Sequence, residues 1–166
     1  MYYEDVFREL NSNDVRYLVV GGTAIVLHGI VRLTADLDIM VDMSKENIMR
    51  LVSSMENLGY KPRVPVDARE LADAQKRKSW VEEKNMKVFS FLDSKNQLHI
   101  VDVLVKEPIG FEEAYDRKII VEAAGIPIPV VSLEDLIRLK EIPKREKDLD
   151  DLKSLKKLRD EIGDGN

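Results

Sequence analysis

The sequence contains no cysteine and only two histidines, His28 and His99, which lie far apart in the chain. The lack of cysteine excludes disulfide bonds, thiolate chemistry and cysteine-ligated zinc. Two separated histidines do not favour a histidine-rich zinc site. We therefore expect His28 to pack or hydrogen-bond locally, and His99 to be an ordinary strand residue.

Long hydrophobic runs and an excess of basic residues are also missing. No apolar run approaches the roughly 20 residues that a membrane helix needs, and the acidic start, Met1–Asp5, lacks the features of a signal peptide. The chain is therefore expected to be cytoplasmic, with no membrane partner. A net charge of −5 disfavours bulk electrostatic binding of nucleic acid. The basic stretch 138–159 is a local candidate, although a solvated helix is the favoured interpretation.

The composition is that of a folded globular protein. The 166 residues are 44% hydrophobic and 34% charged, which predicts one domain with a real core. We assign this domain to residues 1–166, with its core at about 15–131 and C-terminal helices at about 133–162.

Residue periodicity predicts an α/β (α+β) fold in which helices flank a mixed β-sheet. The predicted helices cover residues 3–10, 23–28, 45–58, 133–141 and 146–162. The predicted strands cover residues 15–20, 37–41, 87–92, 98–105, 119–122 and 126–131. The third and fourth strands are expected to form an antiparallel hairpin. The charged segment Lys61–Trp80 is predicted to be a surface excursion with one short helix near 68–74. Trp80, at its end, is expected to pack against the protein rather than stack on a base.

Two acidic residues next to the second strand are the first chemical signal. Alternate residues of a strand face the same way, so Asp36 and Asp38 are expected to point to one side, about 6.7 Å apart. Leu37, Ile39 and Val41 then point into the core. Two carboxylates on one face can bind a hard cation such as magnesium, which prefers oxygen ligands. Taken alone, however, the pair is more typical of a solvated strand end.

Asp102 strengthens this interpretation. It interrupts the strand 98–105, which is otherwise apolar on both faces around it. A lone carboxylate there is costly unless it is paired, hydrogen-bonded or bound to metal. If this strand lies beside the Asp36–Asp38 strand, three carboxylates meet, and their repulsion favours a bound cation.

A glycine pair supplies the other component. Gly21 and Gly22 lie at a strand-to-helix turn, where the backbone can approach a ligand closely. The N–H groups that begin the next helix can then face a phosphate, and Thr23 can add a hydroxyl donor. Arg32 is expected either to bind phosphate or to pair with an acid.

The ordered pattern resembles the nucleotidyltransferase superfamily with the DNA polymerase β-like fold. The shared features are Gly21-Gly22, Asp36-x-Asp38 and Asp102. A closer likeness is to small standalone members, including those associated with toxin–antitoxin systems. It rests on Val20-Gly21-Gly22-Thr23-Ala24, His28-Gly29, Arg32-x-Thr34-x-Asp36-x-Asp38, Ser132–Lys140 and Lys147-Asp148-Leu149-x-Asp151-Leu152. A Gly-Gly-Thr turn stands where many members have Gly-Ser.

The resemblance implies a five-stranded mixed sheet core, an NTP donor and two divalent ions, Mg²⁺ or Mn²⁺. It implies that Asp36, Asp38 and Asp102 bind the metal and perform the catalysis, with Asp102 assisting deprotonation of the acceptor. Lys140 and Lys147 are implied to lie near the nucleotide phosphates, together with the residues of the glycine turn and Arg32.

The leading hypothesis is transfer of a nucleoside monophosphate from an NTP to a hydroxyl group on a protein, an RNA or a small molecule. One alternative is a non-catalytic nucleotide-binding regulatory module, similar to an antitoxin and acting with a toxin or antitoxin partner. Another is an antibiotic nucleotidyltransferase, which the lack of a large added domain disfavours. The sequence leaves open the nucleotide base, the oligomeric state and the role of the excursion at 61–84.

Overall fold

The computed structural model describes residues 1–141 and 146–164, except for the side chain of Lys147. Within these ranges the helices are α1 (Glu4–Ser12), α2 (Gly21–Leu27), α3 (Lys45–Asn57), α4 (Ala74–Lys84), α5 (Phe111–Asp116), α6 (Leu133–Glu141) and α7 (Glu146–Asp164), with a 3₁₀ helix at Ala68–Ala72. The strands are β1 (Tyr17–Val20), β2 (Leu37–Val41), β3 (Tyr60–Pro62), β4 (Val88–Asp93), β5 (Ile100–Leu104), β6 (Ile119–Ala123) and β7 (Ile126–Val130).

The strands form one mixed sheet in the order β3-β4-β5-β2-β1-β7-β6. The pairs β2–β5 and β1–β7 are parallel, whereas the other neighbouring strands are antiparallel. This architecture confirms the predicted mixed sheet with flanking helices and the β4–β5 hairpin. The described sheet has seven strands, which extends the five-stranded core implied by the resemblance, and β3 is an edge strand that the sequence did not predict.

Side-chain alternation in the central strands separates the core from the polar face. Leu37, Ile39, Val101 and Val103 are completely buried, while the residues between them are only half-buried. Because successive side chains of a strand point to opposite faces, the charged residues lie on the face away from this part of the core. α1 and α3 pack on each other and contribute further buried apolar residues.

Two serines begin helices as the sequence predicts. The hydroxyl of Ser44 accepts a hydrogen bond from Asn47 N at the start of α3, and that of Ser132 accepts one from Asp135 N at the start of α6. Each bond satisfies a backbone donor that the helix itself leaves unpaired.

The segment after β3 is more helical than the sequence suggested. A short helix was expected near 68–74, but α4 continues the segment to Lys84 after the 3₁₀ helix. The prediction was wrong because Trp80 is the only fully buried residue of α4, so its sequence carries no apolar stripe. Trp80 packs on Phe89 with a ring separation of 5.8 Å, which confirms its packing role. The short helix α5 was also not predicted.

None of the helices in the described part of the chain combines the length and apolar character needed to cross a lipid bilayer. His28 Nε2 lies 2.9 Å from Val131 O, just after β7, so its hydrogen bond joins distant parts of the chain and is not the local one expected. His99 is in ring contact with Tyr2 and Tyr3.

Asn47 joins α3 to the two central strands. Its side-chain oxygen accepts a hydrogen bond from Arg16 N, and its amide group donates to Arg16 O and to Asp42 O. Asn47 is only 3% exposed, so water cannot replace these bonds. The side chain therefore fixes the chain just before β1 and just after β2.

We expect Asn47→Ala to lower the free energy of unfolding by about 2–3 kcal/mol, since it removes all three hydrogen bonds that this buried side chain makes to the backbone of Arg16 and Asp42. Urea denaturation followed by circular dichroism measures this change. Asn57→Ala, which removes the exposed bond from Asn57 to Glu9, is the matched control and should change stability by less than about 0.5 kcal/mol. Equal effects of the two substitutions would contradict the role of Asn47.

Candidate active site

Two carboxylates of the predicted set lie side by side in the middle of the sheet. The parallel pairing of β2 with β5 places Asp38 directly opposite Asp102. The antiparallel pairing of β1 with β2 places Val20, the last residue before the glycine turn, opposite Asp38 on the other side. The expectation that the two acidic strands are neighbours is therefore confirmed.

Asp36 lies just outside the strand, as the predicted bounds of 37–41 imply. β2 begins at Leu37, so Asp36 lies one residue before the strand and strand alternation does not fix its direction. It is nevertheless close enough to interact electrostatically with Asp38 and Asp102. The three acidic residues thus share one region, but only two of them are held by the sheet.

The surroundings of Asp38 disfavour the charged form of its carboxyl group. Burial, followed by the negative charges of Asp102 and Asp36, raises the pKa of Asp38 to about 7, although Lys140 and Arg32 act in the opposite direction. Burial also raises the pKa of Asp102, together with the charge of Asp36. One pKa unit corresponds to about 1.4 kcal/mol, so ionising this group of acids costs the folded protein stability.

Asp102 has a hydrogen-bond donor of its own. Ser90 lies opposite Asp102 in the β4–β5 hairpin, and its hydroxyl donates to Asp102 Oδ1 at 2.5 Å. The exposed Arg63 follows in the same row, since its backbone N–H donates to Ser90 O at 2.9 Å. Ser90 and Arg63 both lower the pKa of Asp102, but less than burial raises it. Sequence reasoning missed both residues, because it predicted the hairpin but not its register.

The glycine pair is in close contact with charged side chains. Gly21 has φ +65°, a conformation that other residues rarely adopt, and a Cβ at this position would overlap the carboxylate of Asp38. A Cβ at Gly22 would overlap the guanidinium of Arg32. The two glycines therefore allow the side chains of Asp38 and Arg32 to lie directly against the backbone of the turn.

Arg32 and Lys140 meet at one acid of the last helix. Arg32 Nε donates to Asp151 Oδ1 at 2.8 Å. Lys140 Nζ lies 3.2 Å from Asp151 Oδ2 and donates to Asp148 Oδ1, also at 3.2 Å. Asp151 Oδ2 is buried and its ion pair with Lys140 is not aligned as a hydrogen bond. Arg32 therefore pairs with an acid, which is one of its two predicted roles. Arg32 and Lys140 also lower the pKa of Asp38 through their positive charges.

Two predicted nucleotide-binding residues remain, Thr23 and Lys147. The hydroxyl of Thr23 donates to Asp36 O at 3.3 Å, so it is engaged with the backbone that carries the carboxylates. The side chain of Lys147 lies outside the described residues. Its role in binding nucleotide stays a prediction.

The three aspartates suit a hard cation in their chemistry, although their side chains do not converge on one point. Among the described residues, no three histidine, cysteine or acidic side chains are gathered closely enough to hold a metal ion. The three aspartates nevertheless provide oxygen donors only, which is what magnesium prefers. The raised pKa of Asp38 also means that a bound cation would relieve repulsion that Arg32 and Lys140 leave uncompensated.

Comparisons with known proteins bear on the family and the fold. A family model described as "Nucleotidyltransferase of unknown function (DUF6036)" matches residues 4–162. A search of curated protein sequences gives no match.

Solved structures show the same fold at low sequence identity. The lincosamide antibiotic adenylyltransferase LnuA, bound to lincomycin, is 18% identical with a TM-score of 0.60, over 92% of this chain and 93% of LnuA. ANT(2'')-Ia in complex with adenylyl-2''-tobramycin is 17% identical with a TM-score of 0.54, over 96% and 94% of the two chains. An antigenic nucleotidyltransferase-like protein from Paracoccidioides brasiliensis is 15% identical with a TM-score of 0.55, over 90% and 71%.

The raised pKa of Asp38 gives the first of two stability predictions for the site. The ordinary pKa of this carboxyl group is 3.8 and its folded value is about 7, so the folded state loses stability as the pH rises between these values. Without divalent metal, Asp38→Asn should raise the free energy of unfolding by on the order of 2 kcal/mol at about pH 8. The gain should disappear near pH 4.

Urea denaturation at both pH values measures this change. The exposed Asp150→Asn is the control and should have little effect at either pH. A destabilised Asp38→Asn protein at about pH 8 would contradict the repulsion inferred for the site.

The second prediction concerns Asp151. Asp151→Ala should lower the free energy of unfolding by about 2–3 kcal/mol, because it leaves Arg32 and Lys140 partly buried without this partner. The neighbouring Asp150→Ala should change stability by less than about 0.5 kcal/mol. Thermal unfolding of the two variants tests the difference, and an unaffected Asp151→Ala protein would show that the ion pairs carry no net stability.

Proposed function

Because the chain belongs to the nucleotidyltransferase family whose model it matches, we propose that it transfers a nucleoside monophosphate from an NTP to a hydroxyl group with the help of magnesium. The observation that carries this proposal is the pair Asp38 and Asp102, side by side on the sheet and adjoining the glycine turn. The acceptor hydroxyl belongs to a protein, an RNA or a small molecule.

The triphosphate would bind on the Asp38 side of the site. Gly21 and Gly22 let phosphate oxygens approach the backbone, and Arg32 and Lys140 supply positive charge from the loop before β2 and from α6. Lys147 and Thr23 are further candidates for phosphate contacts. In phosphoryl transfer the protein contributes mainly positioning and electrostatic stabilisation, and these residues provide both.

The acceptor would bind on the Asp102 side. Its oxygen forms the new bond to the α-phosphorus while the bond from that phosphorus to the bridging oxygen breaks, releasing pyrophosphate. Asp102, whose pKa is raised by burial, would accept the proton of the acceptor hydroxyl, since a raised pKa makes a carboxylate a better base. Ser90 orients this carboxylate through its hydrogen bond.

Asp36, Asp38 and Asp102 would hold the divalent ions. When bound, the ions would neutralise charge on the triphosphate and on the attacking oxygen. The fit rests on the oxygen-only donor set and on the raised pKa of Asp38.

An antibiotic acceptor is a second candidate. The alignments cover 93% of LnuA and 94% of ANT(2'')-Ia, so those enzymes are not much larger than the aligned part of this chain. The expectation from sequence that an antibiotic nucleotidyltransferase needs a large added domain therefore does not count against this candidate. A regulatory module without turnover is less well supported, because nucleotide binding alone does not require three carboxylates in one region.

The test is transfer of label from α-phosphate-labelled ATP, GTP, CTP and UTP, with magnesium or manganese. The acceptors are cellular protein, cellular RNA, lincomycin and tobramycin, each in a separate reaction. We expect label in one acceptor class with the wild-type protein, and a loss of about a hundredfold or more in Asp38→Asn and Asp102→Asn. Asp150→Asn should retain activity.

Asp38→Asn is the informative variant because the first prediction makes it more stable than wild type near pH 8. Its loss of activity cannot then be attributed to unfolding. Transfer that survives in both Asp38→Asn and Asp102→Asn would refute the proposed site. Nucleotide binding without transfer to any acceptor would favour the regulatory module.

A further inference from the structure

Tyr3 is a buried tyrosine at the edge of the proposed site that the sequence did not single out. It is the last residue before α1 and is 7% exposed, with φ 68°, a left-handed conformation that a bulky residue rarely adopts. Val6, Phe7 and Leu10 of α1 are almost completely buried. The helix therefore holds Tyr3 in place.

The hydroxyl of Tyr3 joins the two strands that carry the carboxylates. It donates a hydrogen bond to Ala35 O at 2.5 Å and accepts one from Ile100 N at 3.2 Å. Ala35 O belongs to the same peptide unit as the amide nitrogen of Asp36, and Ile100 lies two residues before Asp102.

These bonds lie where the β2–β5 pairing stops. The first paired residues of the two strands are Leu37 and Val101, so the bonded groups lie just beyond the paired region. No strand pairing fixes Asp36, which precedes β2. The hydroxyl of Tyr3 therefore fixes a peptide unit that the sheet does not, and it ties that unit to the start of β5.

We propose that Tyr3 is a positioning residue whose hydroxyl holds the beginnings of β2 and β5 together and so sets the spacing of Asp36 and Asp38 from Asp102 for cation binding. The metal part of this inference rests on the proposed function. The bridge between the strands stands on the two hydrogen bonds alone.

A packing role does not account for the hydroxyl. The ring of Tyr3 contacts His99 at a centroid distance of 5.5 Å, and phenylalanine would serve this contact equally well. Burial raises the pKa of Tyr3, as do the charges of Asp36, Asp102 and Asp38. The hydroxyl therefore keeps its proton and remains a donor to Ala35 O at neutral pH.

Tyr3→Phe tests the proposal because it removes only the hydroxyl. Tyr17→Phe is a matched control, since Tyr17 is 1% exposed and its hydroxyl donates to Asn11 Oδ1 at 2.8 Å. Tyr17 pairs with Val41 at the far end of β2, so its hydroxyl is remote from the carboxylates. The control separates the general effect of losing a buried hydroxyl from a specific effect on the site.

The first measurement is the binding of Mn²⁺, followed by electron paramagnetic resonance of the free ion. Loss of groups that orient metal ligands typically costs 10–100-fold in metal affinity, so Tyr3→Phe should bind Mn²⁺ at least about tenfold more weakly than wild type. Tyr17→Phe should bind as tightly as wild type. Wild-type affinity in Tyr3→Phe would overturn the proposal.

The second measurement is amide hydrogen exchange without metal. Tyr3→Phe should accelerate exchange at the start of β2 and at Ile100 and Val101 beyond any global change, whereas Tyr17→Phe should not. If wild type binds no Mn²⁺, the metal part of the proposed function fails, and exchange alone decides whether Tyr3 holds the strands. Unchanged exchange at these amides would refute the bridge itself.

Discussion

The parallel pairing of β2 with β5 is the constraint on which the proposed site depends. It sets Asp38 opposite Asp102 on one face while Leu37, Ile39, Val101 and Val103 fill the core on the other. A shift of either strand by one residue would turn its carboxylate into the apolar core and expose its core residues. The hydrophobic pattern that folds the protein is therefore the same pattern that aligns the two acids.

The rest of the site can be understood as a response to this concentration of negative charge. Ser90 donates to Asp102 from the neighbouring strand, and Arg32 and Lys140 act on Asp38 from the loop before β2 and from α6. Asp151 in α7 holds both cations. The C-terminal helices are thus connected through an ion pair to the loop that precedes β2.

The sequence was informative wherever local pattern and burial coincide. β2 was predicted with its observed bounds, and the capping serines of α3 and α6 were identified, because alternation and capping are short-range properties. α4 was mostly missed because its single buried side chain, Trp80, gives no periodic signal. The expected common face of Asp36 and Asp38 does not follow from alternation, because Asp36 precedes β2 in the predicted bounds as well as in the observed ones.

Contacts between distant segments could not be predicted in the same way. The sequence could not predict that β2 and β5 are neighbours in the sheet, because a sequence does not specify which parallel strands are adjacent. The bonds of Tyr3 to Ala35 and Ile100 span 32 and 97 residues, and that of Arg32 to Asp151 spans 119. Such bonds depend on the complete fold.

The electrostatics of the site bear on whether it is a catalytic centre or a structural feature. A carboxylate that served only the fold would be expected to have a partner that stabilises its charge. Asp38 instead keeps a raised pKa even though Lys140 and Arg32 attract it. The folded chain therefore leaves part of the cost of this charge uncompensated, which is the condition under which a divalent cation gains binding energy from the site. This imbalance favours a cation-dependent enzyme over a purely structural role for Asp38.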